Sequence, residues 1–211
     1  MGPRVFRWLA VCTLERLDVL TIVSGGLFSL LGDEDEPDAQ QRIAVGLASL
    51  RLTRLELVFT GCLPAFPAAL RHLHIEEPIH NGFTFREDVM TRIGELTRLT
   101  HLELSMCGVI DGLDPVSSLC NLESFAFTDN PRQSLAPLVG LTRLASLDLA
   151  GMYVDDEDSD VLVPDGLRGL DTLRVLNLSG VQNLKGWRGP NGIEHTMPAH
   201  TVCYTQDTTF V

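Results

Sequence analysis

Paired cysteines are missing from this sequence. Cys12, Cys62, Cys107, Cys120 and Cys203 are odd in number and nowhere form a Cys-x-x-Cys spacing. Neither a disulfide framework nor a zinc site is suggested, so a reducing, cytoplasmic setting is expected. Positive charge is also scarce: 16 Lys and Arg stand against 28 Asp and Glu, for a net charge of −12. Binding along a phosphate backbone needs clustered bases, so nucleic acid is not an expected partner. No apolar run reaches 18 residues, and no membrane span is expected. Near the N-terminus Arg7 interrupts the apolar stretch and Glu15 and Arg16 end it, which argues against a signal peptide. Gly-x-Ser-x-Gly, Walker, His-Glu-x-x-His and Gly-x-Gly-x-x-Gly motifs are all absent. No catalytic residue, cofactor or enzymatic activity is therefore expected.

What remains is 211 residues with 45% apolar and 21% charged side chains. That balance excludes a collagen-like or fully disordered chain and supplies a continuous core for one domain or one repeat array. The acidic excess is concentrated. Asp33, Glu34, Asp35, Glu36 and Asp38 form one run, and Asp155, Asp156, Glu157, Asp158 and Asp160 another. The second run does not match a calcium loop, which needs Gly at its sixth position and Glu at its twelfth. Counted from Asp155, those positions hold Asp160 and Gly166.

Self-similarity is the dominant signal. Leu99-x-x-Leu102-x-Leu104-x-x-Cys107-x-Val109 fits the template L-x-x-L-x-L-x-x-N/C-x-L. Leu122, Phe125, Phe127 and Asn130 repeat it, as do Leu144, Leu147 and Leu149, and then Leu173, Leu176 and Leu178. Earlier copies begin at Leu17, Leu52 and Leu70. In each L-x-L the period is two, so both apolar residues face one side of a short strand. No single copy can bury that face alone; stacked copies join their strands into a parallel sheet over one core.

The chain resembles the leucine-rich repeat family over residues 12–184. The resemblance implies an α/β solenoid of about seven repeats, with a curved parallel sheet on the concave face. Short helices, 3₁₀ turns and loops would form the convex face. Leu102, Phe125 and Leu147 are 23 and 22 residues apart, similar to the intracellular 22-residue repeats of phosphatase-regulatory and axonemal members. The 18-residue step from Leu55 to Leu73, through Leu63-Pro-Ala-Phe-Pro, is similar to the short repeats of bacterial effectors. The 29-residue steps from 73 to 102 and from 147 to 176 imply extruded loops. The N/C position holds Gly25, Thr60, Pro78, Cys107, Asn130, Met152 and Val181. Only two of these fit, so a broken polar ladder is expected.

Composition sets the boundaries. Residues 1–11 form a flank whose Val5, Phe6, Trp8 and Leu9 would serve as a makeshift cap. Acidic loops are expected at 32–41 and 154–166. Past Lys185 the period vanishes into Gly186-Trp-Arg-Gly-Pro-Asn-Gly, so 185–211 reads as an irregular tail outside the solenoid. No C-terminal cap is legible there, which leaves a fragment of a longer protein open.

Function in such an array belongs to the concave face, where residues flanking the ladder leucines point outward. The expected partner-binding positions are Arg54, Glu56, His72, His74, His101, Glu103, Ser124, Asp148 and Asn177. If the strand of Leu102 follows that of Leu73, His101 lies beside His72 and Glu103 beside His74. Side chains so placed would read as a solvated polar patch, with a shared metal as the narrower alternative. The expected function is a protein-interaction scaffold binding a protein partner. By family resemblance, a regulatory or adaptor subunit of an enzyme complex is the alternative, either a phosphatase regulator or a ubiquitin-ligase adaptor. A receptor ectodomain is the third reading. The same resemblance implies cytoplasmic residence with cytoskeletal or axonemal association.

Overall fold

The computed structural model describes residues 18–23, 50–58, 66–76, 87–108, 110, 112–131, 133–153, 167, 170–181 and 201–207. Among the described residues, eight strands follow one another in chain order across a single sheet, and every neighbouring pair is parallel. They are β1 (Val19–Val23), β2 (Arg54–Val58), β3 (His72–Glu76) and β4 (His101–Ser105), then β5 (Ser124–Thr128), β6 (Ser146–Asp148), β7 (Val175–Asn177) and β8 (Val202–Tyr204). Among the described residues, the helix α1 (Glu87–Gly94) and two 3₁₀ turns, Asp114–Ser118 and Ala136–Gly140, lie on the return paths.

Each coil is built from leucines at two spacings. Within strands the period is two: Leu55 and Leu57, Leu73 and Ile75, Leu102 and Leu104, Phe125 and Phe127 are all buried. Before strands it is three, as in Leu96, Leu99, Leu102 and in Leu141, Leu144, Leu147, all buried. The backbone explains the three. Leu99 N–H donates to Leu96 O, Leu122 to Leu119 O, Leu144 to Leu141 O and Leu173 to Leu170 O. These 3₁₀-type bonds bring residues i and i+3 to the same side, so every third residue falls onto the core until the strand takes over. Registers are unbroken. Leu55, Leu73, Leu102, Phe125, Leu147, Leu176 and Cys203 stand in one row across the sheet.

A second row forms where each strand turns away. Met106, Asp129, Gly151, Gly180 and Asp207 all adopt positive φ, between 53° and 73°. Each lies five residues after the first position of its strand. Glycine enters this left-handed region without a Cβ penalty, and Asp tolerates it. Met106 has neither advantage.

The expected burial of Leu102, Leu104, Leu147, Leu149, Leu176 and Leu178 agrees with the structure. Two expectations need correction. The repeats number eight strands, not seven, because residues 202–204 of the tail form β8 on the edge of β7. In the tail Cys203 takes the leucine position, so the sequence carries no L-x-L there. The step from 73 to 102 is not a mere extruded loop, since it holds α1. Val89, Met90 and Ile93 of α1 are buried, and a Cβ on Gly94 would meet the Pro115 carbonyl oxygen at 2.8 Å. The 3₁₀ turn of the next coil thus sits directly against that glycine.

The polar ladder is broken, as expected, and the break leaves the register undisturbed. Buried Asn130 donates to Leu104 O (2.7 Å) and Thr128 O (3.0 Å) and accepts from Cys107 N–H (2.7 Å). The Cys107 thiol, also buried, donates to Ser105 O at 3.4 Å. At the same position in later coils Met152 and Val181 are buried and apolar. Their N–H groups donate within the turn instead, to Leu149 O and Leu178 O. The acidic loops at 32–41 and 154–166, the flank at 1–11, and Gly25, Thr60 and Pro78 lie outside the described residues.

Candidate protein-binding face

Alternation along the strands sends the expected site residues to the face opposite the core. Two rows result. The first runs Arg54, His72, His101, Ser124, Ser146, Val175, Val202, and the second Glu56, His74, Glu103, Ala126, Asp148, Asn177, Tyr204. Arg54, Glu56, His72, His74, His101 and Glu103 therefore form one contiguous patch on β2–β4. Ser124, Asp148 and Asn177 lie further along on β5–β7 and do not join it.

Within the patch, long polar side chains reach across strands. Arg54 donates through Nε to Glu56 Oε1 at 2.7 Å, and Thr21 of β1 donates to Oε2 at 2.9 Å. These two bonds hold the Glu56 carboxyl below its ordinary value. His72 and His101 stack ring on ring, 4.2 Å apart and 19° from parallel. His101 is fixed further by Thr100. That hydroxyl spends its one proton on Arg71 O (3.1 Å), so it accepts from Nδ1 of His101 (2.9 Å). Burial lowers the pKa of His72, and His101, Arg54 and Arg71 add repulsion against its protonated form. His74 Nε2 is enclosed and lies 3.7 Å from Glu103 Oε1, beyond hydrogen-bonding distance. Among the described residues no three or more His, Cys, Asp or Glu side chains are grouped to hold a metal ion.

Along β6 and β7 the polar side chains turn back on their own backbone. Asp148 Oδ1 accepts from Ala150 N–H at 3.0 Å and Asn177 Oδ1 from Ser179 N–H at 3.1 Å. Asn177 also donates to Asp148 Oδ2 at 3.2 Å. Ser105, at the end of β4, is buried and shares a 2.7 Å hydrogen bond with Thr128.

Sequence reasoning missed two features of this face. One is an apolar end: Val175, Val202 and Tyr204 are exposed on adjoining strands. Alternation in Val202-Cys203-Tyr204 was its available signal, with Cys203 half-buried and its thiol pKa raised by burial. The other is a set of arginines where the chain enters the strands, including Arg51, Arg71 and Arg98, all exposed. The segments Leu50-Arg51-Leu52, Leu70-Arg71-His72-Leu73 and Leu96-Thr97-Arg98-Leu99 carried that signal.

No family model matches the chain, and no curated protein is similar to it in sequence. Solved structures do match. Internalin C2 of Listeria monocytogenes is similar with a TM-score of 0.55 and 17% identity, over 92% of this chain and 73% of that one. A second internalin of the same organism, InlF, has a TM-score of 0.44 and 14% identity, over 83% and 66% of the two chains. Among the described residues no helix is long and apolar enough to cross a membrane. With parallel strands in one register, leucines at alternating spacings of two and three, and internalin C2 as a structural neighbour, the fold of this chain is the leucine-rich repeat solenoid.

Proposed function

We propose that the protein is a non-enzymatic interaction scaffold that binds a protein partner through its concave sheet face. The carrying observation is the patch on β2–β4, where Arg54, Glu56, His72, His74, His101 and Glu103 occupy adjoining outward positions. Such a surface supports recognition by charge and hydrogen bonding, because its polar groups are held in place by neighbouring strands. Leucine-rich repeat neighbours support a protein-interaction scaffold in general. A cytoplasmic setting is part of the proposal and draws on the hydrogen-bonded, buried thiol of Cys107.

The test is affinity capture with the tagged chain, read by mass spectrometry, on wild type and Glu56→Lys/Glu103→Lys. The expected result is a partner retained by wild type and lost from the double variant, whose melting temperature changes little. Retention by the double variant, with loss when 33–41 or 155–165 is deleted, would place the site in the acidic loops instead.

A further inference from the structure

The strand-entry rim of the second, third and fourth coils carries positive charge that the concave rows leave unused. Arg51 precedes β2 by three residues, Arg71 immediately precedes β3, and Arg98 precedes β4 by three. The Arg71 carbonyl accepts from Thr100 N–H and His101 N–H, which pins this part of the rim to the start of β4. All three arginines are exposed, and among the described residues no carboxylate pairs with them. Acidic residues occur on the fourth coil itself, where exposed Glu95 precedes Arg98 by three residues without an ion pair to it, and on the coils to either side. Asp18 precedes β1, and Glu123 precedes β5 but is already held by Arg143 at 2.8 Å. His72 senses the local field, since Arg54 and Arg71 both disfavour its protonation. Three unpaired guanidinium groups on consecutive coils repel one another, on a chain whose net charge is −12. A ligand bearing negative charge removes that repulsion.

We propose that this rim docks an acidic segment of the partner protein, with carboxylates lying across Arg51, Arg71 and Arg98. The proposal rests on the concave-face reading and deepens it by giving the partner's chemistry. Strands stand about 4.8 Å apart, so the three coils span about 10 Å, or three residues of an extended chain. A short Asp- or Glu-rich stretch therefore meets all three arginines. Guanidinium and carboxylate pair through two parallel hydrogen bonds, which selects such side chains over neutral ones. A single-stranded nucleic acid would want open aromatic stacking platforms; among the described residues of the outward rows Tyr204 is the one Phe, Tyr or Trp, at the far end of the sheet, and the His72 and His101 rings are stacked on each other.

Fluorescence anisotropy tests this with the full chain and a fluorescein-labelled decaglutamate peptide. A decalysine peptide, a phosphoserine peptide and a single-stranded oligonucleotide run in parallel. Decaglutamate is expected to bind, and to bind several-fold more weakly at about 200 mM than at about 30 mM salt. Arg71→Glu/Arg98→Glu should weaken it at least about ten-fold, with a melting temperature close to wild type because both positions are exposed. Arg71→Gln/Arg98→Gln, which adds no new repulsion, should give a smaller loss in the same direction. Equal binding of decaglutamate to wild type and both variants, or tighter binding of any of the other three probes, would overturn the proposal. Such a failure leaves the capture result with Glu56→Lys/Glu103→Lys standing, whereas failure of that experiment alone removes the concave face and, with it, the assignment of the acidic segment to a concave-face partner, while the decaglutamate result still reports the rim's own affinity.

Discussion

The first five strands and the next two solve the same coil differently. β1–β5 run for five residues each, whereas β6 and β7 stop after three. The third residue of the strand accounts for the change. Asp148 and Asn177 are short enough to capture the N–H two residues on, which takes Ala150 and Ser179 N–H out of cross-strand pairing while Leu149 and Leu178 N–H still bond to the next coil. Glu56 and His74 occupy the same position in β2 and β3, and their side chains extend to groups on other strands. The turns differ as well, with a buried Asn130 serving the carbonyls of one coil and self-contained turns at Met152 and Val181. Asp148 and Asn177 each turn one oxygen back to their own backbone and leave a smoother face. Longer side chains reach to neighbours and leave a charged face, which is where the candidate site lies.

The largest test of this contrast is Asn130→Ala. It strips Cys107 N–H and Leu104 O of their partner in a buried site, and should cost about 3 kcal/mol in urea unfolding. A loss below about 1 kcal/mol would mean that the two kinds of turn are interchangeable. Next comes Gly151→Ala, where a Cβ would overlap the Asp129 carboxylate in a residue at φ 67°. About 1–2 kcal/mol should be lost, and Asp129→Ala in the same chain should restore the steric part alone. The converse substitution, Met106→Gly, gives the fourth coil the residue found at Gly151 and Gly180. It should gain about 0.5 kcal/mol, being the release of left-handed strain less the entropy of an added glycine.

The smallest effect concerns protons. His72 has its pKa lowered in the folded chain, chiefly by burial. Protonation therefore favours the unfolded chain: the stability contribution is present above the ordinary imidazole value near 6.5 and is lost as pH falls through the lowered folded value. His72→Gln should flatten the fall in urea midpoint between about pH 7.5 and about pH 5.5. An unchanged slope would show that the stacked pair does not resist charging. The Glu56 carboxyl, held low by Arg54 and Thr21, acts in the same sense further down, its contribution disappearing as pH drops below the ordinary carboxylate range.

Much of the fold was legible in the residue pattern. Leucines repeat at fixed spacing, so the core rows from Leu52 to Leu178 could be assigned from periodicity. Alternation then placed Arg54, His72 and His101 in one outward row and Glu56, His74 and Glu103 in another. The reason is local: a period of two or three dictates which side of the backbone each residue faces, whatever lies beyond. What periodicity could not supply depends on contacts distant in the chain. Cys203 becomes a ladder residue only because β7 offers it a parallel edge, and α1 is held by burying Val89, Met90 and Ile93 in the common core. The Thr21–Glu56 bond, the His72–His101 stack and the arginines gathered from three coils join residues that only the stacking of the solenoid makes neighbours. Side-chain direction thus came from the sequence by itself, while the identity of each side chain's neighbour was decided by tertiary structure.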